Sequence, residues 1–204
     1  MNSNRKSLEC DYVVIGGGIV GGCISYYLSR KNKEVICIDS GEFSGSNSNA
    51  GSIHVQLQSR NFRLNPHLID NLLENLPFYK EAVNAWDRLR LMLNVDLDLR
   101  VNGGLMVADN EEQLEFLYKK CQEEKAAGLD VEIIESNKIK KVYPFLSNKV
   151  VGAEFCAHEG KLNPLVANKS LQEVSLRSGV KIMKCETVSH IEFKNNGYCV
   201  KTNV

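Results

Sequence analysis

The sequence has no excess of either charge, no paired cysteines and no long apolar run. Its 204 residues carry 25 basic and 25 acidic side chains, so it offers no basic face for nucleic acid or an anionic membrane. No apolar stretch reaches the roughly 18–20 continuous residues that a membrane-spanning helix needs. These absences argue against a nucleic-acid-binding protein and against a membrane span.

Cysteine is present, but its pattern predicts neither disulfides nor a metal site. The seven cysteines are scattered along the chain, and none lies in a CxxC pair, so reduced thiols are the expectation. The four histidines match no zinc-ligand spacing. The charged N-terminus is not followed by a secretory signal pattern. We therefore expect no metal and a cytoplasmic location.

The first informative feature is a glycine-rich turn between a strand and a helix. Residues 11–15 form an apolar, β-branched run typical of a buried parallel strand. Gly16, Gly18 and Gly21 then give GxGxxG, in which the three glycines allow a tight turn, approach of a pyrophosphate and close helix packing. The helix predicted over residues 19–29 would direct its N-terminal N–H groups at phosphates.

A second strand and an acidic residue complete this unit. Residues 34–39 read as a buried strand that ends at Asp39, close to the roughly 20-residue separation at which an acid accepts the ribose hydroxyls. GxGxxG alone is weak evidence, since a loop that needs positive φ gives the same letters. With strand, turn, helix, strand and acid in order, the unit predicts a dinucleotide site, and Asp39 argues against NADP.

Residues 40–52 are almost all small and polar, and two interpretations fit them. Composition alone favours a flexible surface loop. The alternative is a second wall of the cofactor site, in which backbone N–H groups and short side chains face the phosphates.

In its ordered motifs the chain resembles the FAD-dependent oxidoreductases of the D-amino-acid oxidase group, among them glycine oxidase, D-amino acid dehydrogenase and the sarcosine oxidase β subunit. The resemblance covers the chain from about residue 10 to its end. It rests on residues 11–21, Asp39, 46–56, 103–107, 128–129, 152–154, 159–164 and 187–188.

This resemblance implies FAD as the cofactor and a role for each matching residue. Gly16, Gly18, Ile19, Val20 and Gly21 would lie at the diphosphate. Asp39 and Ser40 would hold the adenosine ribose, and the backbone of Val188 would meet the adenine. The diphosphate would be wrapped toward the flavin by Ser46, Asn47, Ser48, Asn49, Ala50, Gly51 and Ser52. No residue at Asn163-Pro164 matches a covalent attachment point, so non-covalent FAD is predicted.

The rest of the chain predicts alternating helices and strands. A long helical pattern covers residues 66–93, with Pro77 expected to kink or divide it and Trp86 expected in the core. Residues 97–101 and 104–108 predict a hairpin joined at 102–103. Further helices are predicted from Asn110 to 128, over 136–143 and from Asn163 to 179; further strands are predicted over 131–134, 180–183, 187–193 and 198–204.

The predicted fold is α/β: a Rossmann-like FAD-binding domain with an inserted α+β substrate domain. Residues 10–65 and 150–204 are assigned to the FAD-binding domain, and 66–149 to part of the inserted domain with connecting helices. Because the family continues with further strands, we expect the C-terminal part to be missing. The exposed apolar surface should then be prone to aggregation unless a partner subunit or a second copy covers it. We expect the fragment alone to be inactive.

The chemistry implied by the resemblance is oxidation of a C–N bond in an amino acid or secondary amine by hydride transfer to flavin. No catalytic residue is assigned. His54 and Gln56 could face the flavin or an exposed surface, and Arg60, Arg63 and Arg100 are unranked candidates to bind a substrate carboxylate. The alternatives are an NAD-dependent dehydrogenase domain and a non-catalytic cofactor-binding fragment or subunit.

Overall fold

The computed structural model describes residues 7–41 and 45–204, so part of the small-residue stretch, 42–44, lies outside the described residues. The strands are β1 Tyr12–Ile15, β2 Val35–Asp39, β3 Ser52–Ile53, β4 Gly104–Ala108, β5 Val131–Glu135, β6 Gly152–Cys156, β7 Gly160–Lys161, β8 Lys181–Lys184, β9 Val188–Lys194 and β10 Gly197–Thr202. The helices are α1 Ile19–Ser29, α2 Ser59–Leu64, α3 Ile69–Leu93, α4 Glu111–Ala126, α5 Ser136–Val142 and α6 Pro164–Arg177.

The chain divides into two compact units. The first unit comprises the described residues up to Ala50 together with Asn163–Val204, and the second is Gly51–Leu162. The boundaries expected at 65/66 and 149/150 therefore fall inside the second unit. The physical reason is strand pairing: β3 pairs with β7, and β6 is the central strand of the antiparallel sheet of the second unit.

The first unit is built on a parallel sheet in the order β1-β2-β8. Val14 lies opposite Cys37, and Ile38 lies opposite Met183. Its core contains Val14, Cys37 and Val180. The predicted strand–helix–strand unit of residues 11–39 is thus present, with the helix crossing between parallel neighbours.

Two helices pack together in the first unit. A Cβ on Gly22 of α1 would lie 3.2 Å from Cβ of Leu171 on α6, so glycine allows a close approach of the helices. As predicted, α6 begins at Asn163, whose Oδ1 accepts hydrogen bonds from the N–H groups of Leu165 and Val166. The predicted C-terminal hairpin is the antiparallel pair β9–β10.

The second unit contains an antiparallel sheet in the order β4-β6-β5, and α4 contacts all three strands. As predicted, α4 begins after Asn110, whose side chain accepts a hydrogen bond from the N–H of Gln113. The hydrophobic core of the second unit joins residues far apart in sequence, including Val55, Leu76, Cys121 and Cys156.

The hairpin predicted between residues 97–101 and 104–108 is wrong. Leu97 and Leu99 are buried as alternation predicts, but Asp98 between them has a left-handed φ of 53°, which interrupts extended backbone. Arg100 instead exchanges backbone hydrogen bonds with Lys161, and β4 pairs with β6. The long-range partner therefore prevails over the local turn signal.

Pro77 does not divide α3, which runs unbroken from Ile69 to Leu93. A proline inside a helix removes one hydrogen bond and crowds the preceding turn. The buried side chains of Leu76 and Val83 anchor the helix on either side of it. Trp86 is only half-buried on this helix, so it lies at the edge of the core.

Three charged side chains are fully buried together in the second unit. Lys120 Nζ lies 2.9 Å from Glu124 Oε2 and 2.7 Å from Glu154 Oε2, and all three side chains are 0% exposed. One ammonium thus faces two carboxylates, all inaccessible to solvent, and an uncompensated charge there is unfavourable. Burial raises the pKa of Glu154 to about 7, although Lys120 opposes the shift.

We expect the Glu154→Gln variant to be more stable than the wild type at high pH. The raised pKa means that folding favours protonated Glu154. The stability that this gives is fully present below the ordinary glutamate pKa of 4.5 and is lost as the pH rises through about 7. The variant should match the wild type near pH 4.5 and be more stable by about 2 kcal/mol near pH 8. Urea unfolding across this range measures it, with exposed Glu132→Gln as the control; a constant difference between variant and wild type at every pH would contradict it.

The seven cysteines are free thiols, and burial raises the pKa of Cys156 to about 11. Within residues 7–41 and 45–204, no helix has the length and apolar character to cross a membrane. The same residues contain no group of three or more His, Cys, Asp or Glu side chains that could hold a metal ion.

Candidate functional site

The turn after β1 depends on the first and last glycines of the GxGxxG motif, Gly16 and Gly21. Gly16 has a φ of +98°, which L side chains rarely adopt, and its N–H donates to Ile38 O over 2.8 Å. A Cβ on Gly21 would overlap the carbonyl oxygen of Gly16. The first turn of α1 therefore lies directly against the end of β1.

The two middle glycines keep the mouth of the turn open. A Cβ on Gly17 would lie 2.6 Å from Asp39 Oδ2, and one on Gly18 would lie 2.6 Å from Ser46 Oγ. The turn therefore brings its backbone beside the carboxylate at the end of β2 and beside the hydroxyl of Ser46. Larger residues at these positions would fill this space.

The N-terminus of α1 presents its backbone donors at this point. Gly18 is the N-cap and has no side chain to accept from the helix. The N–H of Ile19 instead donates to Ser46 Oγ over 3.0 Å. An oxygen atom from outside the helix thus accepts a hydrogen bond from the first turn of α1. Exposed N–H groups at a helix N-terminus bind phosphate oxygens in the same manner. The turn and helix thus fit a diphosphate.

Helix α6 supplies a wall of the site that sequence reasoning missed. Gln172 Nε2 donates to Gly17 O over 2.8 Å, and Asn168 Nδ2 donates to Asn47 Oδ1 over 3.0 Å. These contacts connect α6 to both the glycine turn and the small-residue segment. They span more than 100 residues of sequence, and no local motif signals them.

A cleft of about 210 Å³ lies between these elements. Its lining includes Gly18, Asp39, Asn47, Asn168 and Lys184. Asp39 and Lys184 are opposite each other in the parallel register of β2 and β8. Asn168 is 5% exposed, and its Oδ1 has no hydrogen-bond partner among the described residues, which leaves an acceptor available to a hydroxyl.

A second cleft, of about 460 Å³, runs along β1 and α1. It is lined by Gly16, Gly18 and Ser46 at one end and by apolar side chains such as Val20 and Ile24 at the other. Gly18 lines both clefts. The predicted glycines, Asp39 and Ser46 are therefore gathered in one region of the first unit.

Residues 11–204 match the DAO family, described as FAD dependent oxidoreductase. The chain belongs to this family. Glycine oxidase of Bacillus subtilis is 25% identical to it over 195 residues, which are 93% of this chain and 49% of that protein. The recognition of the D-amino-acid oxidase group from the sequence is thus confirmed.

Solved structures agree in fold. Glycine oxidase from Geobacillus kaustophilus matches with a TM-score of 0.82 at 18% identity, covering 95% of this chain and 51% of that one. L-α-glycerophosphate oxidase from Mycoplasma pneumoniae, with FAD bound, gives 0.75 at 22% identity, covering 96% and 50%. The mixed α/β fold of a DAO-family FAD-binding domain and the cofactor FAD are confirmed; the chain spans about half the length of these relatives.

The remaining predicted residues are less closely grouped. Val20 lines the second cleft but is 72% exposed on α1. Ser40 follows β2, and Val188 begins β9 without lining either cleft. Ser48, Asn49 and Ala50 are exposed. Gly51 and Ser52 belong to the second unit, where Gly51 O accepts from Leu162 N and Ser52 pairs with Lys161.

The other candidates all lie in the second unit. His54 and Gln56 do not share an exposed face as strand alternation would place them, because β3 ends at Ile53 and Gln56 is buried. Arg100 faces two exposed carboxylates, those of Asp96 and Asp98. Arg63 lies over the ring of Phe116 at 5.2 Å.

Proposed function

We propose that this DAO-family protein oxidises a C–N bond of an amino acid or secondary amine. The observation that carries the proposal is the hydrogen bond from Ile19 N–H to Ser46 Oγ at the mouth of the glycine turn, because it joins the two segments expected to enclose a diphosphate. A relative named for glycine supports an amine substrate class. When bound, FAD supplies the chemistry by accepting a hydride from the substrate carbon.

The residues of this chain would bind and orient the cofactor. Gly16 to Gly21 would receive the diphosphate at the N-terminus of α1, while Asp39 and Ser40 would accept the ribose hydroxyls. Residues 46–52 would continue along the diphosphate, and the backbone of Val188 would meet the adenine. Asn168 and Lys184 add an amide oxygen and a cation to the ribose side. We propose non-covalent binding throughout.

We propose a different role for each of the two units. The first unit would hold the nucleotide part of FAD, and the second would contribute to the substrate side. We propose a cytoplasmic location and assembly either with partner subunits or with a second copy of the chain.

The visible absorption spectrum of the purified protein, taken as its gene encodes it, tests the proposal. We expect a flavin band that bleaches when glycine, sarcosine, proline or a D-amino acid is added without oxygen. A colourless protein that binds NADH would indicate a nicotinamide dehydrogenase. Bleaching by glycerol 3-phosphate alone would indicate that the substrate is an alcohol and not an amine. Bound flavin that no substrate reduces would indicate a non-catalytic subunit.

Replacing Asp39 with alanine should weaken FAD binding by about 10- to 100-fold, because a charge-assisted hydrogen bond to a ribose hydroxyl contributes about 1.5–3 kcal/mol. The measurement is flavin retained after dialysis and fluorescence titration of the cofactor-free protein. Asp130→Ala removes an exposed carboxylate of the second unit and should leave the affinity unchanged. Equal affinities for the two variants would remove Asp39 from the site.

A further inference from the structure

Residues 54–57, which we call segment 54–57, have no strand partner, although residues 55–57 are buried. The strand β3 ends at Ile53, yet Val55, Gln56 and Leu57 are all at least 96% buried. Buried N–H groups need acceptors. Here each acceptor is a carboxylate rather than a neighbouring strand.

Two glutamates from distant parts of the chain provide these acceptors. Glu159 Oε1 accepts from the N–H of Val55 over 3.0 Å and from that of Gln56 over 3.2 Å. Glu124 Oε1 accepts from Leu57 N–H over 2.6 Å. Hydrogen bonds to an ionised acceptor are about twice as strong as neutral ones. The conformation of segment 54–57 is therefore set by carboxylates.

Glycines of the family-like motifs surround Glu159, and one of them leaves room for its side chain. A Cβ on Gly104 would overlap its carboxylate, and the N–H of Gly103 donates to Glu159 O over 3.0 Å. A Cβ on Gly160 would overlap the backbone of Arg100. Gly104 thus leaves room for the buried carboxylate of Glu159, and Gly103 holds the backbone of the same residue.

Segment 54–57 carries two polar side chains that face different surroundings. His54 is 60% exposed, and its Nδ1 lies 3.7 Å from Glu159 Oε2. Gln56 is 4% exposed, and its Oε1 has no hydrogen-bond partner among the described residues. An unpartnered buried amide oxygen is unfavourable unless another group meets it.

We propose that Glu159 is a positioning residue, whose carboxylate fixes the backbone of segment 54–57 and thereby orients His54 and Gln56 for the substrate side of the reaction. The segment directly follows, along the chain, the residues assigned to the diphosphate. The inference rests on the proposed function for its chemical consequence. Its structural part, the constraint on the amides of Val55 and Gln56, can be measured independently.

The test compares Glu159→Gln with Glu132→Gln, an exposed glutamate of the same unit, in the protein as its gene encodes it. Glutamine keeps the size of the side chain but loses the charge that strengthens two hydrogen bonds. We expect amide hydrogen exchange at residues 55 and 56 to rise about tenfold or more in Glu159→Gln. Glu132→Gln should leave it unchanged.

The chemical readout separates positioning from folding. In Glu159→Gln we expect bound flavin to be retained, KM for the amine to change little, and kcat to fall about tenfold or more. Glu159→Asp keeps the charge and should restore part of the rate. If the glutamine variant fails to fold, Glu159→Asp tests the role of Glu159 by the same two measurements, amide exchange and kcat, with smaller expected effects.

Two results would overturn the inference: unchanged exchange at residues 55 and 56, or faster exchange with kcat unaltered. A wild-type protein that holds no flavin, or whose flavin no amine reduces, would refute the proposed function instead. In that case the exchange measurement would still decide whether Glu159 constrains the segment.

Discussion

The variant Gly21→Ala should lose its flavin and about 3 kcal/mol or more of unfolding free energy. The added Cβ would overlap the carbonyl oxygen of Gly16, which is backbone fixed by the hydrogen bond from Gly16 N–H to Ile38 O. Neither atom can swing away as a flexible side chain would, so α1 must move off β1. The N–H groups at the start of α1 would then leave their place beside Ser46, where we propose that the diphosphate binds.

Gly45→Ala is the matched control for this experiment. A Cβ at Gly45 would meet no atom within 4 Å, although the residue directly precedes Ser46 of the same site. We expect it to bind flavin as the wild type does and to change stability by less than about 0.5 kcal/mol. Absorbance at the flavin band and denaturant unfolding measure both variants. Wild-type flavin content in Gly21→Ala would refute the assigned role of the turn.

The variant Lys120→Met should destabilise the protein by about 3–5 kcal/mol near neutral pH. It removes the ammonium that lies within 3 Å of Glu124 and Glu154, so two carboxylates stay buried without a cation. Glu124 also accepts from Leu57 N–H, and the damage should therefore reach segment 54–57. Denaturant unfolding of the purified variant gives the free energy.

The pH dependence and a neighbouring lysine make this prediction specific. Without Lys120 the cost of keeping Glu154 ionised in the core is no longer offset, so the loss should grow as the pH rises and shrink in acid. Lys119→Met removes only an exposed ion pair with Glu115 and should cost less than about 0.5 kcal/mol. Equal losses for the two variants would show that burial of Lys120 has no energetic consequence.

Much of the fold around the glycine turn and in the C-terminal part of the chain could be predicted from local sequence, because it is built by local geometry. The positive φ of Gly16, the N-cap of α6 at Asn163 and the turn between β9 and β10 are each specified within a few residues. Parallel strands flanking one helix follow from the same short-range pattern. These features came out as expected.

The failures of prediction involve partners that are distant in sequence. The strand at residues 104–108 was assigned to its nearest neighbour, but its partner is β6. Lys120 and Glu124 on α4 look like ordinary exposed charges of an amphipathic helix, since charged residues are rarely buried. Only the position of Glu154 across the sheet shows that they lie in the core.

The sequence by itself determined the strand–turn–helix with its glycine turn, the acid at the end of β2 and the family, since these depend on residues close together and in fixed order. Only the tertiary structure decided that α6 closes the cleft with Asn168 and Gln172, and that Glu159 holds segment 54–57. The physical reason is that a hydrogen bond between residues a hundred positions apart leaves no periodic trace in composition, and it forms only where folding brings its two atoms together.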